Sequence, residues 1–255
     1  MKILSLNIWG GRAGKEGLLN FLKEQSMTVD VFCLQEVWSA PYEHYEGASA
    51  GGLVIQHGDV MTNGLHDIAS TLTDFEYFFH PHFMDNYGLM MLVRKSIDVL
   101  GSGEYWVHKQ KGYMPEGDIG HHARNMQYVT LRHGVTDYTI CNFHGLWNGK
   151  GKTDSEDRIL QSNRIVASLS AHTGEVVLMG DFNLLPETES IKLLETAGLR
   201  NLITEYGVTS TRTSIYKKPE KFADYAFTSS GVLVKDFTVL PDEVSDHAPL
   251  LLEIA

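Results

Sequence analysis

A layered α/β or α+β fold is the class that this 255-residue sequence predicts. Three features point to it: strand-like apolar runs outnumber helical ones, helices fall between and beside them, and the chain opens as a βαβ unit. KILSLNI (2–8) alternates as a first strand, which Gly10 and Gly11 end. In GLLNFLKEQ, Leu18, Leu19, Phe21 and Leu22 share one side of a short helix, and DVFCLQEV (30–37) follows with the pattern of a buried strand. Further strands are expected over 88–95, 126–132, 138–144, 175–181, 223–229, 232–240 and 249–254. Thr153 and Glu156 read as a capping box before a helix in DRILQSNRIVASLSA, and Thr188 as the cap of ESIKLLETA, which ends at Gly198. Residues 100–125 form the longest irregular stretch. No repeat or linker divides the chain, so one domain over residues 1–255 is expected.

Composition narrows the function classes. A hydrophobic share of 43% and a charged share of 21% are ordinary for a globular protein and exclude disorder and collagen-like repeats. No stretch approaches the roughly 18 apolar residues of a membrane span. The N-terminal MKILSLNIWGG lacks a signal-peptide h-region and cleavage site, so a cytoplasmic location is expected. Cys33 and Cys141 each sit inside an apolar run and read as reduced core thiols. The formal charge of −11 disfavours broad duplex binding, which needs several cationic phosphate contacts. Lys109 with Lys111, Lys150 with Lys152, and YKKPEKF (216–222) are read either as solvated loops or as local holders of a small phosphate.

Two apparent motifs fail on their chemistry. GRAGKEG (11–17) lacks the first glycine and the Ser or Thr of a phosphate-binding loop. Ser245, Asp246 and His247 are neighbours, and neighbours on an extended chain point to opposite faces instead of lining up in relay. His80 and His82 receive no role, and His121 with His122 read as a metal-binding pair or, more simply, as an exposed one.

What remains is a set of polar residues recurring at strand ends: Asn7, Gln35, Glu36, Asn142, His144, Asp181, Asn183, Asp224, Asp246 and His247. Taken singly, each has a cap or turn reading. Taken together they suit one sheet edge, where α/β folds gather their ligands. Carboxylates and amide oxygens are hard ligands suited to Mg²⁺ or Mn²⁺, and the shortage of cysteine and of paired histidine spacing argues against structural zinc.

LSLNIW, DVFCLQEVW, NFHGLW, VVLMGDFNLLPE, FADYAF and VSDHAPL, in this order, resemble the endonuclease/exonuclease/phosphatase family from residue 3 to residue 254. The resemblance implies an α/β fold of four α/β/β/α layers, with two packed mixed sheets flanked by helices. It implies Glu36 as the principal metal ligand, with Asn7 beside it and Asp246 near the same ion, Mg²⁺ or Mn²⁺. His247 would act as general base or transition-state partner, oriented by Asp224. Asp181 would position or deprotonate the attacking water, Asn183 would donate to a phosphoryl oxygen, and His144 would hold the phosphate or protonate the leaving oxygen. Whether Asp181 or His247 takes the proton stays open. Arg124, Asn125 and Trp147 fall where the family's substrate loops lie, and read as phosphate or base contacts or as surface loop residues. Many members carry a basic residue before the orienting aspartate, whereas Phe222 and Ala223 precede Asp224 here.

The expected activity is therefore metal-dependent hydrolysis of a phosphodiester by in-line attack of water. A nuclease acting on DNA, RNA or a local lesion is the alternative. A non-catalytic phospho-ligand-binding protein is the alternative from another class, and it would be free to lose the base or the metal ligand, both present here. The expected partner is a phosphoester substrate, nucleic acid being one option, with no protein partner.

Overall fold

The alternating runs become strands of two mixed sheets packed face to face. The computed structural model describes residues 1–41 and 43–255. Among the described residues the strands are β1 (Lys2–Asn7), β2 (Val31–Trp38), β3 (Ser49–Ala50), β4 (Leu53–Val54), β5 (Phe75–Phe83), β6 (Tyr87–Arg94) and β7 (Asp98–His108). They continue with β8 (Arg124–His133), β9 (Thr136–His144), β10 (Glu175–Asp181), β11 (Arg200–Asn201), β12 (Asp224–Thr228), β13 (Val234–Val239) and β14 (Leu250–Ile254). The helices are α1 (Lys15–Gln25), α2 (Gly64–Thr71), α3 (Glu156–Leu169), α4 (Glu189–Thr196) and α5 (Leu202–Glu205). One six-stranded sheet runs β13-β14-β1-β2-β6-β5 and the other β11-β12-β10-β9-β8-β7, with β3 and β4 as a separate hairpin. At the centre of each sheet lies one parallel pair, β1 with β2 and β9 with β10.

The period of two divides β1, β2 and β6 between two cores. Ile3, Val31, Cys33, Met91 and Val93 join the core shared with the second sheet, which offers Val129 and Ile140 from one cross-strand pair. Leu4, Leu6, Phe32, Leu34, Met90 and Leu92 face outward, against Leu18, Phe21 and Leu22 of α1 and Ile68 of α2. Ile165 and Leu169 of α3 with Ile191 and Leu194 of α4 join the core on the second sheet. Each fully buried side chain of this size contributes about 1.5–3 kcal/mol, so four layers follow from burying both faces of both sheets. Cys33 and Cys141 are buried and unbonded, as expected.

A polar seam crosses the inter-sheet core. Gln35 Nε2 donates to Asn142 Oδ1 at 2.7 Å, and Asn142 Nδ2 donates to Gln127 Oε1 at 3.2 Å and to the Leu34 carbonyl at 3.0 Å. Buried amides that satisfy one another in this way fix the lateral register of the sheets, because a slip would leave donors unpaired.

Three expectations need correction. Residues 100–108 of the expected irregular stretch 100–125 are strand, since β7 runs to His108, and Arg124 and Asn125 at its other end open β8. The capping box does not form: Ser155 caps α3, accepting from Arg158 N at 3.3 Å. Thr188 stands at the N-cap of α4 without accepting from it; its Oγ1 donates to the Leu185 carbonyl at 2.8 Å. Asp154 instead takes the free amides of α4, from Glu189 N at 2.7 Å and Ser190 N at 3.0 Å. No described helix is long and apolar enough to cross a membrane.

Candidate active site

Strand direction alone gathers the polar strand ends. Asn7, the last residue of β1, is paired with Gln35 within β2, and His144 is paired with Asp181 at the ends of β9 and β10. β12 runs antiparallel to β10, so its first residue, Asp224, lies opposite Asp181. β14 runs antiparallel to β1, which puts Asp246 and His247, just before it, at the same edge. Ser245 Oγ fastens that segment by donating to the Asn7 carbonyl at 2.7 Å and accepting from His247 N at 3.2 Å, so it is a strut and not a nucleophile.

Two local backbone departures aim side chains into the site. The register of β2 on β6 shifts between Leu34 and Val37, and Glu36 inside this bulge has φ +61. A bulge bends its strand and re-aims a side chain, and the left-handed conformation at a non-glycine is a cost that the surrounding sheet must sustain. At β10, Asp181 and Asn183 reach one cavity by a turn and not along an extended segment: Asn183 has φ +54, and its N–H donates to Asp181 Oδ1 at 2.8 Å. Phe182 between them is buried against Phe143, Tyr225 and Phe227 and anchors the turn. Gly180 permits the approach, since a Cβ there would stand 2.0 Å from the Phe143 carbonyl.

Asn7 Nδ2 donates at 3.0 Å to both Glu36 Oε1 and Asp181 Oδ2, holding the two carboxylates together. Its Oδ1 accepts from Trp9 N, so holding an ion through that oxygen would require the amide to turn over. His247 Nδ1 lies 2.8 and 2.9 Å from the Asp224 oxygens, and its Nε2 faces Asp181 Oδ2 at 3.6 Å and Asp246 Oδ1 at 3.7 Å. His144 Nε2 closes the circle at 3.7 Å from Asp181 and 3.9 Å from Glu36. Arg212 Nη1 donates to Asp246 Oδ2 at 3.0 Å.

Charge is strongly perturbed here. Burial drives the Glu36 carboxyl above its usual range, and the Asn7 hydrogen bond only partly offsets this. Burial works against the Asp181 carboxylate too, but His247, His144, Lys152 and Arg212 together hold it well below the usual range. For His247, burial and Arg212 oppose the charged ring, yet Asp224, Asp246 and Asp181 outweigh them and raise its pKa. Burial, with Arg124 beside it, pushes His144 well below its ordinary value.

The donor set suits a hard divalent cation. Asp246 Oδ1 is buried and has no hydrogen-bond partner, and Glu36 is a partly buried carboxylate whose charge calls for a positive partner. Ligand atoms of Asp181, Asp224 and His247 also lie within 4.8 Å of one another, a buried cluster suitable for such an ion. There, however, a cation would compete with the hydrogen bond between His247 and Asp224.

These groups open into a cavity of about 350 Å³. Its walls include Arg12, Arg124, Lys152, Arg212, Lys217 and Lys218, six of the chain's 21 Lys and Arg, so a strongly acidic protein nonetheless has a cationic pocket. Aromatic rings of Trp9, Trp38, Phe83, Tyr87, Trp147 and Tyr216 alternate with them. Arg124 is buried, donates Nη2 to the Gly120 carbonyl at 3.2 Å, and leaves Nε and Nη1 without partners. Trp147 is fixed by its Nε1 donating to the Gly51 carbonyl at 2.8 Å.

Among the expected residues, Glu36, His144, Trp147, Asp181, Asn183, Arg124, Asp246 and His247 line this cavity, with Asn7 and Asp224 directly behind. Asn125 turns away: its amide meets the Glu104 carboxylate, the His80 carbonyl and His82 Nδ1. His121 and His122 are not an exposed pair, since His122 is buried in the cavity wall and stacks on buried His82 with centroids 4.9 Å apart. Arg212 and Tyr87 were not anticipated. The only sequence signal for Arg212 was its place beside the basic YKKPEKF segment.

A search of curated protein sequences returned no match. Solved structures similar in fold include a mannosyl-6-phosphatase of Bacteroides thetaiotaomicron, 16% identical with a TM-score of 0.75, covering 100% of this chain and 99% of that chain. A functionally unknown conserved protein from Enterococcus faecalis is 20% identical, TM-score 0.73, over 100% of this chain and 99% of that one. D. rerio TDP2, complexed with a single-strand DNA product, is 16% identical, TM-score 0.69, over 100% and 98%. The endonuclease/exonuclease/phosphatase family model matches residues 4–247, and with the site's buried acidic cluster this makes the chain a member of that family, a metal-dependent hydrolytic enzyme of the phosphoesterase type.

Proposed function

We propose that the chain hydrolyses a phosphodiester by in-line attack of an activated water, on a substrate small or single-stranded enough to enter the cavity. The observation that carries this reading is the imidazole of His247, held by Asp224 at 2.8 Å and facing Asp181 at 3.6 Å in a pocket with unpaired buried cationic donors. Asp224 fixes the ring's tautomer by accepting a hydrogen bond from Nδ1–H, which leaves Nε2 directed at the reacting groups. Asp181, kept ionised, orients the attacking water. Asn183 and His144 direct N–H donors at the phosphoryl oxygens, and Arg124 offers its free N–H groups to the same charge. Glu36 and Asp246, with Asn7 organising the carboxylates, would hold Mg²⁺ or Mn²⁺. Such an ion, when bound, neutralises charge developing on the phosphoryl and leaving oxygens.

The cavity favours a small phosphoester or a single strand over a duplex. The interleaving of Trp147, Trp9 and Tyr216 with cations also supports the nuclease reading, because bases stack on such rings while cations track phosphates. The structure of D. rerio TDP2 with a single-strand DNA product is in keeping with it.

The test is a panel of bis(4-nitrophenyl) phosphate, 4-nitrophenyl phosphate, single-stranded DNA and RNA. Activity on diesters should vanish with chelator, return with Mg²⁺ or Mn²⁺, and fall about 10²-fold or more in His247→Ala. Metal-loaded wild-type protein inert on every member of the panel would defeat the reading.

A further inference from the structure

The cavity contains cations to which the proposed reaction assigns no contact with the substrate. Lys152 is 3% exposed. Its Nζ makes one hydrogen bond among the described residues, donating to the Phe222 carbonyl at 3.1 Å, and forms no ion pair there. Asp181, Asp224 and Asp246 act on it only at longer range. Arg212, with 6% of its side chain exposed, spends Nη1 on Asp246, and its buried Nε has no acceptor. Both cations stand at one ring: Arg212 Cζ lies 4.1 Å and Lys152 Nζ 5.5 Å from the centroid of Tyr216. Lys217 and Lys218 extend the same wall, and Lys218 Nζ lies 5.4 Å from the ring of Trp147.

Two like charges at one aromatic ring, one of them buried without a counter-ion, are unfavourable until an anion arrives. The scissile phosphoryl is already provided for. Asn183, His144 and Arg124 are the donors assigned to it, whereas Arg212 is bonded to Asp246 Oδ2 and neither it nor Lys152 makes a hydrogen bond or ion pair with Asp181 among the described residues, acting on it through charge alone. Lys152 and Arg212 are thus left to take a different anion. The planar guanidinium and an ammonium with unused donors suit a phosphate monoester, which offers two charges and several acceptor oxygens.

We infer that Lys152, Arg212, Lys217 and Lys218 form a second anion subsite that receives a non-scissile phosphate, so that the substrate is a small phosphodiester carrying an additional terminal phosphate. The inference rests on the proposed phosphodiesterase reading only for which phosphate is cleaved.

Binding separates the two claims. Calorimetric titration of the full chain with Mg²⁺ compares thymidine 3′,5′-bisphosphate with thymidine 5′-monophosphate. Charge-assisted hydrogen bonds to a second phosphate should tighten binding about tenfold or more. That advantage should disappear in Lys152→Met and shrink in Lys218→Ala, an exposed position that guards against a folding artefact. Equal affinities for the two probes in the wild type would overturn the subsite. So would a Lys152→Met variant that weakens both probes by the same factor, because Lys152 would then serve the phosphate they share. Kinetics use thymidine 5′-(4-nitrophenyl phosphate) with and without a 3′-phosphate, and the 3′-phosphate should lower KM in the wild type and not in Lys152→Met. Failure to release nitrophenol from either ester would strike the phosphodiesterase reading, while the titration would still decide the subsite.

Discussion

At Asp224 the charge of one buried side chain acts through another. It does not line the cavity, yet it takes both close contacts to His247 Nδ1 and is one of the three carboxylates that lift the pKa of that ring against burial and Arg212. Asp224→Asn removes the charge and frees the ring to adopt the other tautomer. The expected result is a fall in kcat of about 10²-fold or more with little change in KM, and a His247 pKa, read by NMR in chelated protein, that drops. An unchanged kcat would show that the pair is structural. Arg124 presents the opposite case, a buried cation whose two free donors cost stability until an anion fills the site. Arg124→Met should raise KM for a diester about tenfold or more while leaving the melting temperature equal or higher. A variant that melts lower with an unchanged KM would assign Arg124 to the fold instead of the substrate.

Among the elements, helix α4 shows how capping passes between neighbours. Its first two amides are satisfied by Asp154, which precedes α3, and not by its own N-cap Thr188. Asp154→Ala should therefore destabilise the protein by about 1 kcal/mol, and Thr188→Ala by a few tenths, in urea unfolding. The reverse ranking would contradict the assignment. The same locality explains what the sequence disclosed. Strands buried on both faces, such as β1, β2, β9 and β10, were legible because near-continuous apolar runs leave little else to form. β5 and β7 were not, and both are edge strands. FEYFFHPHF carries Pro81 and two histidines, and DVLGSGEYWVH carries two glycines, so neither holds the pattern of a central strand. The catalytic candidates were legible where a short motif ends a central strand, as at Asp181 and Asn183. The bulge that gives Glu36 its left-handed backbone, the turning away of Asn125 and the arrival of Arg212 from a loop depend on pairing and register, which no local pattern encodes.

At the scale of the whole molecule, the imidazoles set the response to acid. His82, His108 and His122 are buried, and burial first, with Arg124 adding to it, depresses all three pKa values, that of His108 to about 4. In the unfolded chain each takes a proton near pH 6.5, whereas in the folded chain each stays neutral until the pH is much lower. Between those limits the unfolded state binds more protons, so stability is complete above about pH 6.5 and is lost as pH falls toward 4. The slope is about 1.4 kcal/mol per pH unit for each fully neutral histidine. His247 works in the other direction: its raised pKa contributes stability that is present below about pH 6.5 and lost as pH rises through the folded value. With these three and the equally buried His144 depressed against one raised, acid destabilisation wins. The melting temperature of chelated protein should therefore fall by several degrees per unit below pH 6.5, and His247 alone should lower it slightly as pH rises above 7. His108→Gln, far in sequence from the catalytic motifs, should make that fall shallower, and a melting temperature that is flat from pH 7.5 to 5 would contradict a folded state built around neutral buried histidines.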